Sequence, residues 1–178
     1  MEHNTPDLTE LLQKSAVEHL TTFRQLVARD FGSVATIVTT DFEALYAYKR
    51  GDYQRCLQLS TQNVHTLLDG VNVPSIPTYP EFIQLLDDDI VSLTALTLIV
   101  NPNCRDVHSN YVFISQPTLS LYLMTQCQLK LRHSVTSLAQ TLDYIEVAQR
   151  RHGADSTLDQ LTLKLIERKV VLYISSSI

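Results

Sequence analysis

Apolar side chains return every three or four residues along most of this chain, the spacing of one face of an α-helix. Leu8, Leu11, Leu12, Ser15, His19, Phe23, Leu26 and Val27 form a first stripe, opened by Thr5-Pro6-Asp7 and ended by Gly32. Threonine caps a helix, proline fits its first turn, and an acid there faces the positive end of the dipole. Val34, Ile37, Val38, Phe42, Leu45 and Tyr48 form a second stripe that stops at Gly51. Its β-branched opening, Val34 to Thr40, reads as a frayed helix end or a strand. Tyr53, Cys56, Leu57, Ser60, Val64, Leu67 and Leu68 form a third stripe, with only Gly51-Asp52 between it and the second. Glycine turns left-handed to close one helix and aspartate caps the next. The spacing therefore predicts a tight helical hairpin with Cys56 and Leu57 inside and Lys49, Arg50 and Gln54 in water.

Gly70, Pro74, Pro77 and Pro80 interrupt the pattern between 69 and 80. Thr78-x-x-Glu81 then reads as a capping box opening a fourth helix through Phe82, Leu85, Leu86, Ile90, Leu93, Leu96 and Val100. From Ile90 onward this helix is apolar nearly all round, which predicts a central, buried position. Asn101-Pro102 stops it, and 101–116 is an irregular connection in which Tyr111-Val-Phe-Ile114 is extended or makes a short helical turn. Pro117 restarts a helix carrying Leu119, Leu121, Tyr122, Met124, Leu129 and Leu131. Ser134 caps a sixth run through Leu138, Leu142, Ile145 and Ala148, closed by Gly153. Ser156-x-x-Asp159 resembles a box opening the last, Leu158 to Ile174. Short connections force neighbours side by side, so the expectation is one all-α domain over 1–178, about seven helices in antiparallel hairpins.

Composition narrows the class. With 44% apolar and 19% charged residues, the 178-residue chain is globular rather than disordered. Four glycines and no tryptophan speak against a turn-rich β-sandwich. Cys56, Cys104 and Cys127 are odd in number and lack a CxxC, so no disulfide framework is expected. The opening Met1-Glu-His-Asn-Thr-Pro is too polar for a secretion signal, and Ile90 to Val100 is about half of a bilayer span. A cytoplasmic protein without membrane contact is expected. Residues 1–117 carry 14 acids against 7 bases, whereas 118–178 carry 5 against 7. This asymmetry reads as ordinary solvated helix faces. The acidic pI of about 5.6 counts against nucleic acid as a partner.

Few residues invite chemistry. Asp87-Asp88-Asp89 fan out around a helix axis and cannot converge on one cation. Cys104 and His108, with Asp106 between them, have a zinc-compatible spacing, but a structural site needs four ligands. His65, Cys127 and His133 complete it only if folding gathers them. Arg150-Arg151-His152 with Lys164, Arg168 and Lys169 make a small basic face on the last hairpin. No catalytic residue, metal or cofactor is expected.

Aligned on Gly51-Asp52-Tyr53, the hairpin resembles a tetratricopeptide repeat. Ala44 stands where helices cross, Tyr48 is the aromatic of the first helix, Tyr53 the aromatic after the turn, and Cys56 the small residue of the second helix. Thr40 and Glu43 depart from that pattern, and no 34-residue period runs through the chain. The resemblance covers about 30 residues and implies a right-handed stack of helical pairs that binds a protein or peptide. Tyr46, Tyr48, Tyr53, Arg150, Arg151, Lys164 and Arg168 are the partner-binding candidates.

A second resemblance runs from Asp52 to the C-terminus, to the helical region that follows cyclic GMP-AMP synthase-like (male-abnormal family) nucleotidyltransferase domains. It implies an accessory helical fragment of a nucleotide-sensing protein without its catalytic core. Gly32-Ser33 and Asp41-Phe42-Glu43 imitate that core's Gly-Ser turn and metal carboxylates. On a helix, however, Asp41 and Glu43 point about 200° apart. A non-enzymatic interaction module is therefore the leading expectation.

Overall fold

The computed structural model describes Leu11, Lys14 and residues 33–69, 77–78, 87–100, 113–152 and 156–177; for 33–39, 69, 77–78 and 152 it describes the backbone alone. Helices dominate these residues: α1 (Ser33–Lys49), α2 (Tyr53–Asp69), α3 (Asp88–Val100), α4 (Gln116–Lys130), α5 (Val135–His152) and α6 (Thr157–Ser176). Leu11 and Lys14 are also helical, and the rest of the first expected helix lies outside the described residues. Strands β1 (Pro77–Thr78) and β2 (Ile114–Ser115) form one antiparallel pair, Pro77 opposite Ser115 and Thr78 opposite Ile114. No helix among the described residues is long and apolar enough to cross a membrane.

The α1–α2 hairpin closes as its sequence predicts. Gly51 takes a φ of +77°, its N–H bonds Tyr48 O at 3.0 Å, and Asp52 N–H bonds Ala47 O at 2.9 Å. This pair of bonds is a Schellman closure, which satisfies carbonyls that the helix end leaves over. Asp52 Oδ1 then accepts from Arg55 N–H at 3.1 Å and caps α2. Cys56 and Leu57 are buried, while Lys49, Arg50 and Gln54 are exposed. The α4–α5 turn repeats the closure with an unusual residue. Arg132 occupies the left-handed position at φ 54°, with His133 N–H on Gln128 O at 2.9 Å. Ser134 Oγ accepts from Ser137 N–H at 3.3 Å and opens α5.

Two expectations need correction. Thr78 of the expected box lies in β1, and Glu81 lies outside the described residues. The fourth helix does not run unbroken into Ile90, because Asp87 is not helical and α3 begins at Asp88. Asp87 opens it instead, its carbonyl accepting from Ile90 and Val91 N–H, and Asp88 and Asp89 favour the positive end of the dipole. Nor is α3 the central helix. Only Ile90, Thr94 and Thr97 are buried in it, because its main packing among the described helices is on α6.

The centre is α4, where every residue from Gln116 to Gln128 is buried. α4 touches α1, α2, α5 and α6, and the helices other than α3 each pack on the next and the next but one along the chain. Several of its buried polar side chains find partners. Thr125 Oγ1 donates to Leu121 O at 2.7 Å, Ser115 Oγ to Thr118 Oγ1 at 2.9 Å, and Gln128 Oε1 accepts from Thr141 Oγ1 at 2.8 Å. Satisfied hydroxyls enter a core at little cost, whereas orphaned ones do not.

The last hairpin shows a third difference. Ser156 caps α6 as expected, accepting from Leu158 N–H at 3.2 Å. Asp159 does not complete a box. It is buried, and its Oδ1 accepts from Ser115 N–H at 2.8 Å, tying α6 to the start of α4. Ser156 Oγ strengthens that tie by donating to Phe113 O at 3.0 Å.

Candidate partner-binding surfaces

Among the described residues, two surfaces stand out as offering room for a partner. The first is a cleft of about 520 Å³ beside the α1–α2 hairpin, lined by Glu43, Tyr46, Ala47, Arg50, Asp52, Arg55 and Leu59. Its volume lies in the range of ligand sites. The Arg50 guanidinium sits 5.8 Å from the centre of the Tyr46 ring and donates to its hydroxyl at 3.3 Å. Arg55 faces Glu43 at 4.0 Å. With two acids and two bases, the lining is charge-balanced.

The second is the outer edge formed by α3 and α6. Ile99 is 72% exposed, Val100 65% and Leu172 59%, and Val91, Leu96 and Val171 are also exposed on the same two helices. On α3 the last two turns present Ala95, Leu96, Ile99 and Val100 to solvent together. On α6 the exposed positions Lys164, Arg168 and Val171 fall within an arc of about 60°, at 100° per residue. A basic half thus runs into an apolar one along a single face. Large apolar side chains exposed as a group mark contact surfaces more often than single ones do.

The residues singled out as partner-binding do not form one cluster. Tyr46 lines the cleft. Tyr48 is buried, and its hydroxyl donates to Asp87 Oδ2 at 2.6 Å. Tyr53 is half-buried with its ring edge-on to Tyr48 at 5.6 Å, and the Lys130 ammonium lies 5.9 Å from its centre. Arg150 pairs with Glu146 one turn back, and Arg151 donates to Leu68 O at 2.6 Å, sealing the end of α2. Lys164 and Arg168 remain on the outer edge.

The other flagged groups separate as well. Asp87 binds Tyr48, Asp88 is exposed, and Asp89 pairs with Lys169 on α6. Burial pushes the Asp87 carboxyl up, but the Tyr48 hydroxyl, the Asp88 amide and Lys169 together hold it below its ordinary value. The same carboxylate and burial push the Tyr48 phenol up. His65 stands edge-on to Tyr144 at 5.5 Å, and Cys127 is buried on α4. Cys104, Asp106 and His108 lie outside the described residues, among which no group of three or more His, Cys, Asp or Glu could hold a metal.

Sequence reasoning weighed Asp41 only as an imitation of a metal carboxylate and gave it no place in the core, where it is treated most unusually. Asp41 is buried at the meeting of α1, α2 and α4. Its Oδ1 accepts from Asn63 Nδ2 at 2.9 Å and from Ser120 Oγ at 2.6 Å. Burial raises its pKa to about 7, against the lowering effect of those two donors. Glu43, two residues on, is half-buried and faces Arg55, so the two carboxylates serve different environments. A signal was present: Val34, Val38, Asp41, Leu45 and Tyr48 share one helical stripe. No family model, curated protein or solved structure matches the chain.

Proposed function

We propose that this protein is a non-enzymatic interaction module, a helical-hairpin scaffold that docks an amphipathic helix of a partner on the outer edge of α3 and α6. The exposure of Ile99, Val100 and Leu172 on two mutually packed helices carries this reading. Leaving so much apolar surface in water is unfavourable by about 25 cal/mol per Å², and a docked helix removes that cost. Lys164 and Arg168 beside Val171 call for acids rimming the partner's apolar face. Packing of each helix on the next two, with α3 inserted, supports a tetratricopeptide-like, right-handed stack. In such a stack the buried α4 leaves no room along its own face, so the binding surface moves to the edge.

Capture from a cell lysate tests the reading with matched variants. Ile99→Gln with Leu172→Gln should lose the partner while keeping the melting temperature, and Lys164→Glu with Arg168→Glu should weaken capture. Tyr46→Ala in the cleft should leave it intact. The reverse pattern would move binding to the cleft. Thermal-shift measurements with ATP, GTP and Mg²⁺ should show no change. A shift would favour the accessory fragment of a nucleotidyltransferase-like protein.

A further inference from the structure

Asp41 joins three helices through one oxygen. Oδ1 takes two donors, Asn63 from α2 and Ser120 from α4, while Oδ2 is buried with no hydrogen-bond partner among the described residues. That asymmetry costs a neutral carboxylic acid one unpaired O–H and costs a carboxylate far more, an unpaired share of its charge. In the acid, Oδ1 is the carbonyl oxygen that accepts twice, and the proton rests on Oδ2. In the anion, half of the charge falls on Oδ2, in a core that offers it nothing.

We propose that Asp41 is a proton-operated latch: protonated, it locks α1 onto α2 and α4, and on losing its proton it loosens that junction. The titratable group on which the Asp41 carboxyl acts is the thiol of Cys56 on α2, buried and in contact with the buried Cys127 thiol of α4. Contact with Cys127, burial and the nearby Asp41 carboxyl all push the Cys56 thiol up, so it stays neutral. No cation stands among the groups that act on Asp41 to hold an anion in place. Ionisation therefore has to draw water toward Oδ2, and α1 must shift from α4 to admit it.

The direction of the pH effect follows from proton counting. A carboxyl whose folded-state pKa is about 7 holds its proton where the unfolded chain, near 3.9, has lost it. Stability is then greatest below the unfolded value and falls as pH rises toward 7, by up to tenfold in the folding constant per pH unit. Above 7 no further loss comes from this group.

Urea unfolding from pH 5 to pH 8.5 tests the latch in the full chain and in Asp41→Asn, whose amide mimics the neutral acid. The wild type should lose stability toward pH 7 and then level, and the variant should lack that fall. Parallel pH profiles in the two proteins would overturn the latch. Should Asp41→Asn fail to fold, carbon-13 NMR of the wild-type aspartate carboxyls supplies the answer. One carboxyl titrating near neutrality, together with faster amide exchange in α1 above that pH, supports the latch. All carboxyls titrating in the ordinary acidic range would overturn it.

Discussion

The junction of α1, α2 and α4 and the outer edge of α3 and α6 invert the usual placement of polar and apolar residues. Inside the junction lie Asp41, Asn63, Ser120 and Thr125, and along the edge lie Leu96, Ile99, Val100 and Leu172. The junction can bury polar groups because neighbouring helices supply nearly all of their partners. The edge exposes apolar groups because α3 packs mainly on α6 among the described helices. What holds the chain together is a polar-studded centre, and the uncovered apolar flank is where the proposed binding would reside.

Mutations that treat the two regions alike should give unlike results. The largest effect belongs to Leu121→Ala in the middle of α4, which should cost about 2–5 kcal/mol in urea unfolding. Leu57→Ala, buried on α2, should cost at least about 2 kcal/mol, and an unchanged melting temperature would remove Leu57 from the core. Asp52→Ala removes the cap of α2 and should cost about 1 kcal/mol. Arg132→Gly relieves a left-handed backbone at the α4–α5 turn and should add about 0.5–1 kcal/mol of stability. Leu172→Ala, on the edge, should change stability by no more than about 0.5 kcal/mol. A loss there comparable to that of Leu121→Ala would erase the contrast.

How much of this was legible in the sequence depended on where the decisive partner lay. The Gly51-Asp52 joint was legible because its closure and its cap use residues adjacent in the chain. The same holds for Ser134 and Ser156. Local signals failed where a distant group decided the outcome. Asp159 looked like half of a local box and instead reaches back 44 residues to Ser115. Asp87 opens α3 and at the same time receives the Tyr48 hydroxyl from α1. The identity of the central helix was missed for a related reason. Hydropathy favoured the run from Ile90 to Val100, yet burial depends on how many neighbours a helix acquires, and α4 acquires four. Of the partner-binding candidates, tyrosines at the hairpin were drawn into packing, since an aromatic with a hydroxyl serves a core as readily as a surface. Lys164 and Arg168 stayed outside because nothing described packs over that face of α6.

The most direct measurement is urea unfolding of the Ile99→Gln, Leu172→Gln double variant beside the wild type, with binding of a fluorescent apolar dye recorded on the folded proteins. If the edge is a contact surface separate from the core, the unfolding midpoint stays within experimental error of the wild type and dye binding falls. A large drop in the midpoint, with dye binding unchanged or raised, would show instead that Ile99 and Leu172 belong to the packing that holds the fold.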